Sequence, residues 1–270
     1  MDLGLADARV LVVGGSRGMG RAAAETFARE GARVAVLARA SEALNDTVPA
    51  LCSLGSPECL PLAADLTSLS EVGSAIDGLS ERWDGMEVLV NAAGPVEVGI
   101  GPFDGLDDDE WRATFDIGLL SVVRTVRCSL PLLRRGSFAR IVNVSAHSTK
   151  RQSPDLVAYT AAKAALSSLT KNLSQSLAPE GILVNTVSPG SFLSEGMQGY
   201  LRSLPPERGV DCASLTDAMR VIAEEFGHPA YLGRAGSPAE IGPVIAFLCS
   251  RVNSYMTGAD VNVDGGSDFT

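Results

Sequence analysis

Histidine is scarce in this chain: His147 and His228 are its two histidines among 270 residues, too few for a multi-histidine metal centre. No metal site is therefore expected. The five cysteines (Cys52, Cys59, Cys128, Cys212 and Cys249) are scattered, odd in number and without a Cys-x-x-Cys pair, a usage that suits reduced thiols better than disulfides or zinc. No apolar run is long enough to cross a bilayer, so no membrane association is expected. The N-terminal MDLGLADARV lacks a basic segment leading into an apolar core, which leaves a cytoplasmic location as the expectation. Positive charge is in short supply too: 22 Lys and Arg against 32 Asp and Glu give a net charge of −10, which argues against a nucleic-acid groove. Repeats, low-complexity linkers and Pro/Gly-rich breaks are lacking, so residues 1–270 are read as one domain.

The chain does contain short Val/Leu/Ile runs separated by amphipathic stretches. ARVLVVG, ARVAVLA, ECLPLAA, MEVLVNAAG, ARIVNVS, GILVNTVSPG and ADVNVDGG read as seven strands, with a first helix from about Gly18 to Glu30. Continuous apolar runs fit strands buried on both faces, and their alternation with helices predicts an α/β fold, a doubly wound parallel sheet covered on both sides. The segment from about 192 to 236 differs. It holds Gly196, Gly199, Pro205, Pro206, Gly209 and Pro229 around SLTDAMRVIAEEF, and is expected to be a helical insertion acting as a lid.

VLVVGGSRGMGRAAAETFAREG places Gly14, Gly18 and Gly20 after a strand and at a helix start. Missing β-carbons let backbone approach a pyrophosphate, and a helix N-terminus offers free N–H groups and a positive dipole. After the second strand, where a carboxylate would take the ribose diol of NAD, stand Ala38 and Arg39. A guanidinium there, with Arg17 in the loop, suits the 2′-phosphate of NADP(H) through charge-assisted bonds. The alternative is that both are ordinary solvated arginines.

Several motifs recur together and in order: GGSRGMG, ADL (Ala64–Leu66), NAAG (Asn91–Gly94), YTAAK (Tyr159–Lys163), VNTVSPG (Val184–Gly190), RAGSPAEIGPVIAFLCS and a late VDGG. In these, nearly the whole chain resembles the short-chain dehydrogenase/reductase superfamily. The resemblance implies a Rossmann-type sheet and a cofactor cradle of Gly14, Ser16, Arg17, Gly18, Met19 and Gly20. It sets Asp65 and Leu66 beside the adenine, and Asn91, Ala92 and Gly94 beside the adenine ribose and sheet centre. Pro189 and Gly190 would lie against the nicotinamide, and Ser194 near the carboxamide or phosphates. Asp65 as a helix cap and Asn91 as a strand-end hydrogen-bonder remain structural alternatives. A homotetramer, built through helices near 107–135 and 155–178 and the C-terminal strand, is also implied. LDDDE, Leu106 to Glu110, is expected to open a helix, where carboxylates suit the dipole.

Hydride transfer at a carbinol carbon needs a proton to travel with the oxygen. Tyr159 is the expected general acid or base, and Lys163, one turn later on the same helix face, favours the phenolate and binds the nicotinamide ribose. An interfacial tyrosine beside a snorkelling lysine is the bland alternative. Two positions depart from the family. Ala146 stands where a serine hydroxyl orients the substrate; if the strand stays extended, Ser148 shares its face and replaces it, with His147 as the weaker candidate. Gly118 stands where an asparagine helps hold a relay water; glycine can keep a kink and leave room for water, and the alternative is that the relay is gone. Val13 replaces a loop threonine, at a modest cost in stability. Phe192, Leu193, Met197, Tyr200, Leu201, Met219, Phe226 and Tyr231 make the lid apolar, and the expected substrate is a hydrophobic ketone or secondary alcohol. A cofactor-binding protein without turnover, and a lyase or dehydratase on the same fold, are the rival readings.

Overall fold

The computed structural model describes residues 1–95 and 98–267. Seven parallel strands form one sheet in the order β3-β2-β1-β4-β5-β6-β7. They are β1 (Arg9–Val13), β2 (Arg33–Ala38), β3 (Cys59–Ala63), β4 (Val88–Asn91), β5 (Ala139–Val144), β6 (Ile182–Pro189) and β7 (Asp260–Val263). All seven coincide with the apolar runs. The order reverses between β1 and β4, and the crevice at such a switch point is where ligands sit in open α/β sheets.

Strand side chains alternate between two buried faces. Val10, Val12, Val34, Val36, Val88, Val90, Val142 and Val144 face one core with α1 (Gly18–Arg29) and α9 (Pro238–Leu248). Leu11, Val13, Ala35, Leu37, Leu89 and Ile141 face the other, built with α3 (Leu69–Arg82), α5 (Ser121–Leu133) and α6 (Val157–Leu177). Both faces being covered explains why these strands read as unbroken apolar runs. The LDDDE stretch opens α4 (Asp108–Phe115), where Asp107 and Glu110 form a reciprocal capping box.

The 192–236 segment closes on itself at its base. Leu193 N–H donates to the Gly236 carbonyl at 2.8 Å and Gly236 N–H to the Ser191 carbonyl at 2.9 Å. A β-carbon on Gly236 would come within 2.6 Å of the Phe192 ring, so the junction tolerates no side chain. Between these ends lie α7 (Glu195–Ser203) and α8 (Leu215–Phe226). They enclose a third apolar cluster of their own, with Leu201, Ala218, Met219 and Ile222 at its centre. No described helix is long and apolar enough to cross a membrane.

Candidate active site

The glycine loop divides into two kinds of position. Gly14, at φ +77°, has no room for a β-carbon, which would fall 2.7 Å from the Ala93 nitrogen; one on Gly20 would fall 2.2 Å from the Gly14 carbonyl oxygen. Their missing side chains serve the loop's own packing. Gly18, at φ +55°, faces open space, with no atom within 4 Å of its would-be β-carbon. It is the glycine that leaves room for a ligand at the start of α1. Arg17 is the N-cap residue there, with no side-chain hydrogen bond to the first turn and no acidic residue in it. Unpaired N–H groups at a helix start suit a phosphate.

Arg39 follows the last residue of β2 and is exposed, with no hydrogen bond or ion pair among the described residues, facing Asp65 only at range. Arg17 lies 3.9 Å from Glu195, the first residue of α7. Met19 packs partly into the first core, and Thr47 donates to the Ser16 carbonyl at 3.3 Å. Asp65 accepts from the Thr67 N–H at 2.9 Å and hydroxyl at 2.8 Å, which holds its carboxyl below the usual range, while Ser68 caps α3. It is thus a turn residue upstream of the cap. Leu66 is buried in the second core.

The Asn91 side chain takes the structural role that stood as its alternative. Its amide donates to Asn143 at 2.8 Å and its carbonyl oxygen accepts from Thr125 at 2.6 Å, fully inside the fold. Its side chain ties β4 to β5 and α5, as the structural alternative had it. The Ser194 hydroxyl caps α7, accepting from the Met197 N–H at 3.3 Å. Gly190 donates its N–H to the Val263 carbonyl at 2.9 Å, and a β-carbon there would strike Asp264 at 2.6 Å, so its smallness serves the β6–β7 contact.

Tyr159 and Lys163 stand one turn apart on α6, as the spacing predicted. Lys163 is buried and its Nζ donates to the Val144 carbonyl at 2.8 Å, at the end of β5. A β-carbon on Gly94 would meet that Nζ at 3.0 Å, so glycine in this loop lets the ammonium approach. Burial pushes the Tyr159 phenol up to about 12 and the Lys163 ammonium down to about 8. In the chain alone, desolvation therefore outweighs any pull of Lys163 toward the phenolate.

The hydroxyl question resolves differently from the parity argument. The chain leaves β5 at Val144 and winds into a single 3₁₀ turn over His147–Thr149, so strand alternation does not carry Ala146's direction to Ser148. Ser148 is nonetheless 5% exposed and its Oγ has no hydrogen-bond partner among the described residues. Ser145 is spent structurally, donating to the Lys163 carbonyl at 3.0 Å and sharing a hydrogen bond with Ser167. His147 Nδ1 meets the Pro189 carbonyl at 3.1 Å. Because a carbonyl only accepts, Nδ1 carries the proton.

Gly118 sits in a wide π-type turn, Asp116–Leu120, that joins α4 to α5. The expected kink is there. A β-carbon would lie 3.0 Å from Ala162 and 3.4 Å from Pro95, so glycine lets this turn pack on α6. The apolar lid is also corrected. Phe192, Leu193, Leu201 and Met219 are buried and Met197 packs on the lid's own cluster, while Tyr200, Phe226 and Tyr231 are exposed. Amphipathic helices spend their apolar faces on each other before they offer any to a substrate.

Sequence reasoning missed what surrounds the 147–151 turn. Arg151 donates to the Ser267 carbonyl at 2.8 Å and to the Gly227 carbonyl, at the C-terminal end of α8, at 2.9 Å. His228 meets His147 edge-on with centroids 6.0 Å apart. The partners are 76 to 116 residues apart in sequence, and no spacing signals them.

A family model for short chain dehydrogenases matches residues 8–203, and one described as enoyl-(acyl carrier protein) reductase matches 210–268. The chain belongs to the short-chain dehydrogenase/reductase superfamily. It is 32% identical to the uncharacterised oxidoreductase YvrD of Bacillus subtilis, over 98% of both chains. It is also 32% identical to the rhamnolipids biosynthesis 3-oxoacyl-[acyl-carrier-protein] reductase of Pseudomonas aeruginosa, over 97% of this chain and 96% of that one. L-sorbose reductase of Gluconobacter frateurii, solved with NADPH and L-sorbose, superposes with a TM-score of 0.92 at 27% identity over 100% of both chains. The superfamily assignment brings with it oxidoreductase chemistry on a single seven-stranded sheet.

Proposed function

We propose that the chain is an NADP(H)-dependent reductase interconverting a ketone and a secondary alcohol. The observation that carries this reading is the buried Lys163 Nζ, held by the Val144 carbonyl against Gly94 one turn beyond Tyr159. A lysine costs too much to bury for packing alone. The fit of NADP(H) rests on three features: the open space at Gly18, the uncapped start of α1 with Arg17, and the exposed Arg39 where NAD would meet a carboxylate. When bound, the nicotinamide supplies or accepts the hydride.

The chain's own residues handle the proton. Tyr159, with its phenol raised to about 12, holds its proton through the neutral range and donates it to the carbonyl oxygen. Lys163, lowered to about 8, is still mostly cationic at neutral pH; it holds the ribose and stabilises the phenolate left behind. Ser148 supplies the hydroxyl that polarises the carbonyl, in place of the residue lost at Ala146. The 192–236 segment covers the substrate, and the homotetramer and cytoplasmic location belong to the same proposal.

Ala146 and the tight Gly118–Ala162 contact favour a second reading, cofactor binding without turnover. NADPH oxidation over a panel of ketones and hydroxyketones, with cofactor binding measured alongside and Tyr159→Phe as control, separates the two. Turnover lost in the variant supports the reductase; tight NADPH binding with no ketone consumed supports the second reading.

A further inference from the structure

Two buried polar atoms near the carboxyl end of the sheet lack a hydrogen-bond partner among the described residues: Ser148 Oγ and His228 Nδ1. They come from different segments. Ser148 lies in the turn after β5, and His228 lies two residues past the end of α8. The His147–His228 edge contact and the Arg151 bond to the Gly227 carbonyl bring these segments together. The Nδ1 of His147 on the Pro189 carbonyl fixes the same turn to the end of β6. A buried polar atom without a partner is destabilising unless water or a ligand completes it.

We propose, on the reductase reading above, that Ser148 and His228 are the two ends of a polar clamp, and that the substrate is a hydroxyketone or its diol product. Ser148 Oγ takes the reacting oxygen, and His228 Nδ1 takes a hydroxyl on the neighbouring carbon. A hydroxyl both donates and accepts, so it satisfies Nδ1 in either tautomer. A phosphorylated substrate is poorly matched, because Arg151 is engaged by two carbonyls. His228 is also held neutral: burial first, then the Arg151 charge, lowers its pKa. A hydrophobic ketone would leave both buried atoms unsatisfied. The lid's apolar side chains, enclosed in their own cluster, give it little in return.

The test uses compounds that differ by one hydroxyl. The NADP⁺-loaded protein is titrated calorimetrically with 2,3-butanediol and with 2-butanol, and reduction of acetoin and 2-butanone by NADPH is followed in parallel. The diol is expected to bind about ten- to a hundredfold tighter than the monoalcohol, the usual consequence of leaving a built polar site unpaired. His228→Phe brings that ratio toward one, and His228→Asn, whose amide reaches near the Nδ1 position, restores most of it, with NADP⁺ affinity held in both. His228→Leu serves if His228→Phe does not fold. Equal binding of diol and monoalcohol by the unaltered protein overturns the clamp, as does a diol preference that survives loss of the His228 imidazole. Diol preference without turnover of either ketone keeps the clamp and removes the reductase reading. Equal kcat/KM for both ketones keeps the reductase and removes the clamp.

Discussion

The crevice has two sides, and they are built by different means. On the β1–α1–β2 side, backbone geometry does nearly everything: Gly14 and Gly20 allow the loop to fold, Gly18 leaves the opening, and two arginines provide the charge. On the β5–β6 side, side chains from distant segments meet: Ser148, His147 and Arg151 from one turn, Gly227 and His228 from the lid, Ser267 from near the end of the chain. The first side has few sequence solutions, because a β-carbon at two of its positions strikes backbone. The second has many, because hydroxyl and imidazole groups can be supplied from several places.

The largest effect should come from Tyr159→Phe, which removes the proton donor and should lower kcat by about a hundred- to ten-thousandfold with NADPH affinity intact. Steady-state rates beside a cofactor titration check it, and an unaltered kcat would take the chemistry away from α6. Ser148→Ala should cost on the order of a hundredfold in kcat. Because the deleted hydroxyl is buried and unpartnered, the same change should leave Tm equal or higher. Loss of both activity and stability would make Ser148 a structural residue and merge the two sides of the comparison.

Within the glycine loop, Gly14→Ala should destabilise the fold by about 2–4 kcal/mol, since clash and left-handed backbone coincide. Gly18→Ala should cost about 1 kcal/mol in stability and act mainly on cofactor affinity. Denaturant melts of the two variants check the split, and equal destabilisation would contradict it. Arg39→Asp should raise the Kd for NADPH about tenfold more than that for NADH; equal losses would leave Arg39 as a solvated side chain.

The smallest effect concerns the base of the lid. Arg234 and the Ser237 N–H lower the Glu240 carboxyl from 4.5 to about 2. Its folded value lies below its unfolded one, so its contribution is fully present above 4.5 and is lost as pH falls toward 2. Glu240→Gln should therefore lower Tm slightly at neutral pH, and the gap to the unaltered protein should close near pH 2. A gap independent of pH would mean the carboxylate charge plays no part.

Residues near one another in sequence were legible in advance, because the constraints on them are local. Apolar runs marked all seven strands, LDDDE marked the start of α4, and Tyr159 and Lys163 lie one turn apart on any helix. The sequence by itself determined the parallel sheet, the glycine turn and the one-turn spacing of Tyr159 and Lys163, through periodicity, missing β-carbons and helical spacing. Tertiary structure alone decided that Asn91 bonds Asn143 and Thr125, that Ser194 caps α7, and that the lid's apolar residues face each other. It also decided where the chain left β5, which undid the alternation argument for Ser148. Each of these depends on which distant segment arrives at a given atom, and hydrogen-bond satisfaction and close packing are settled only when it does.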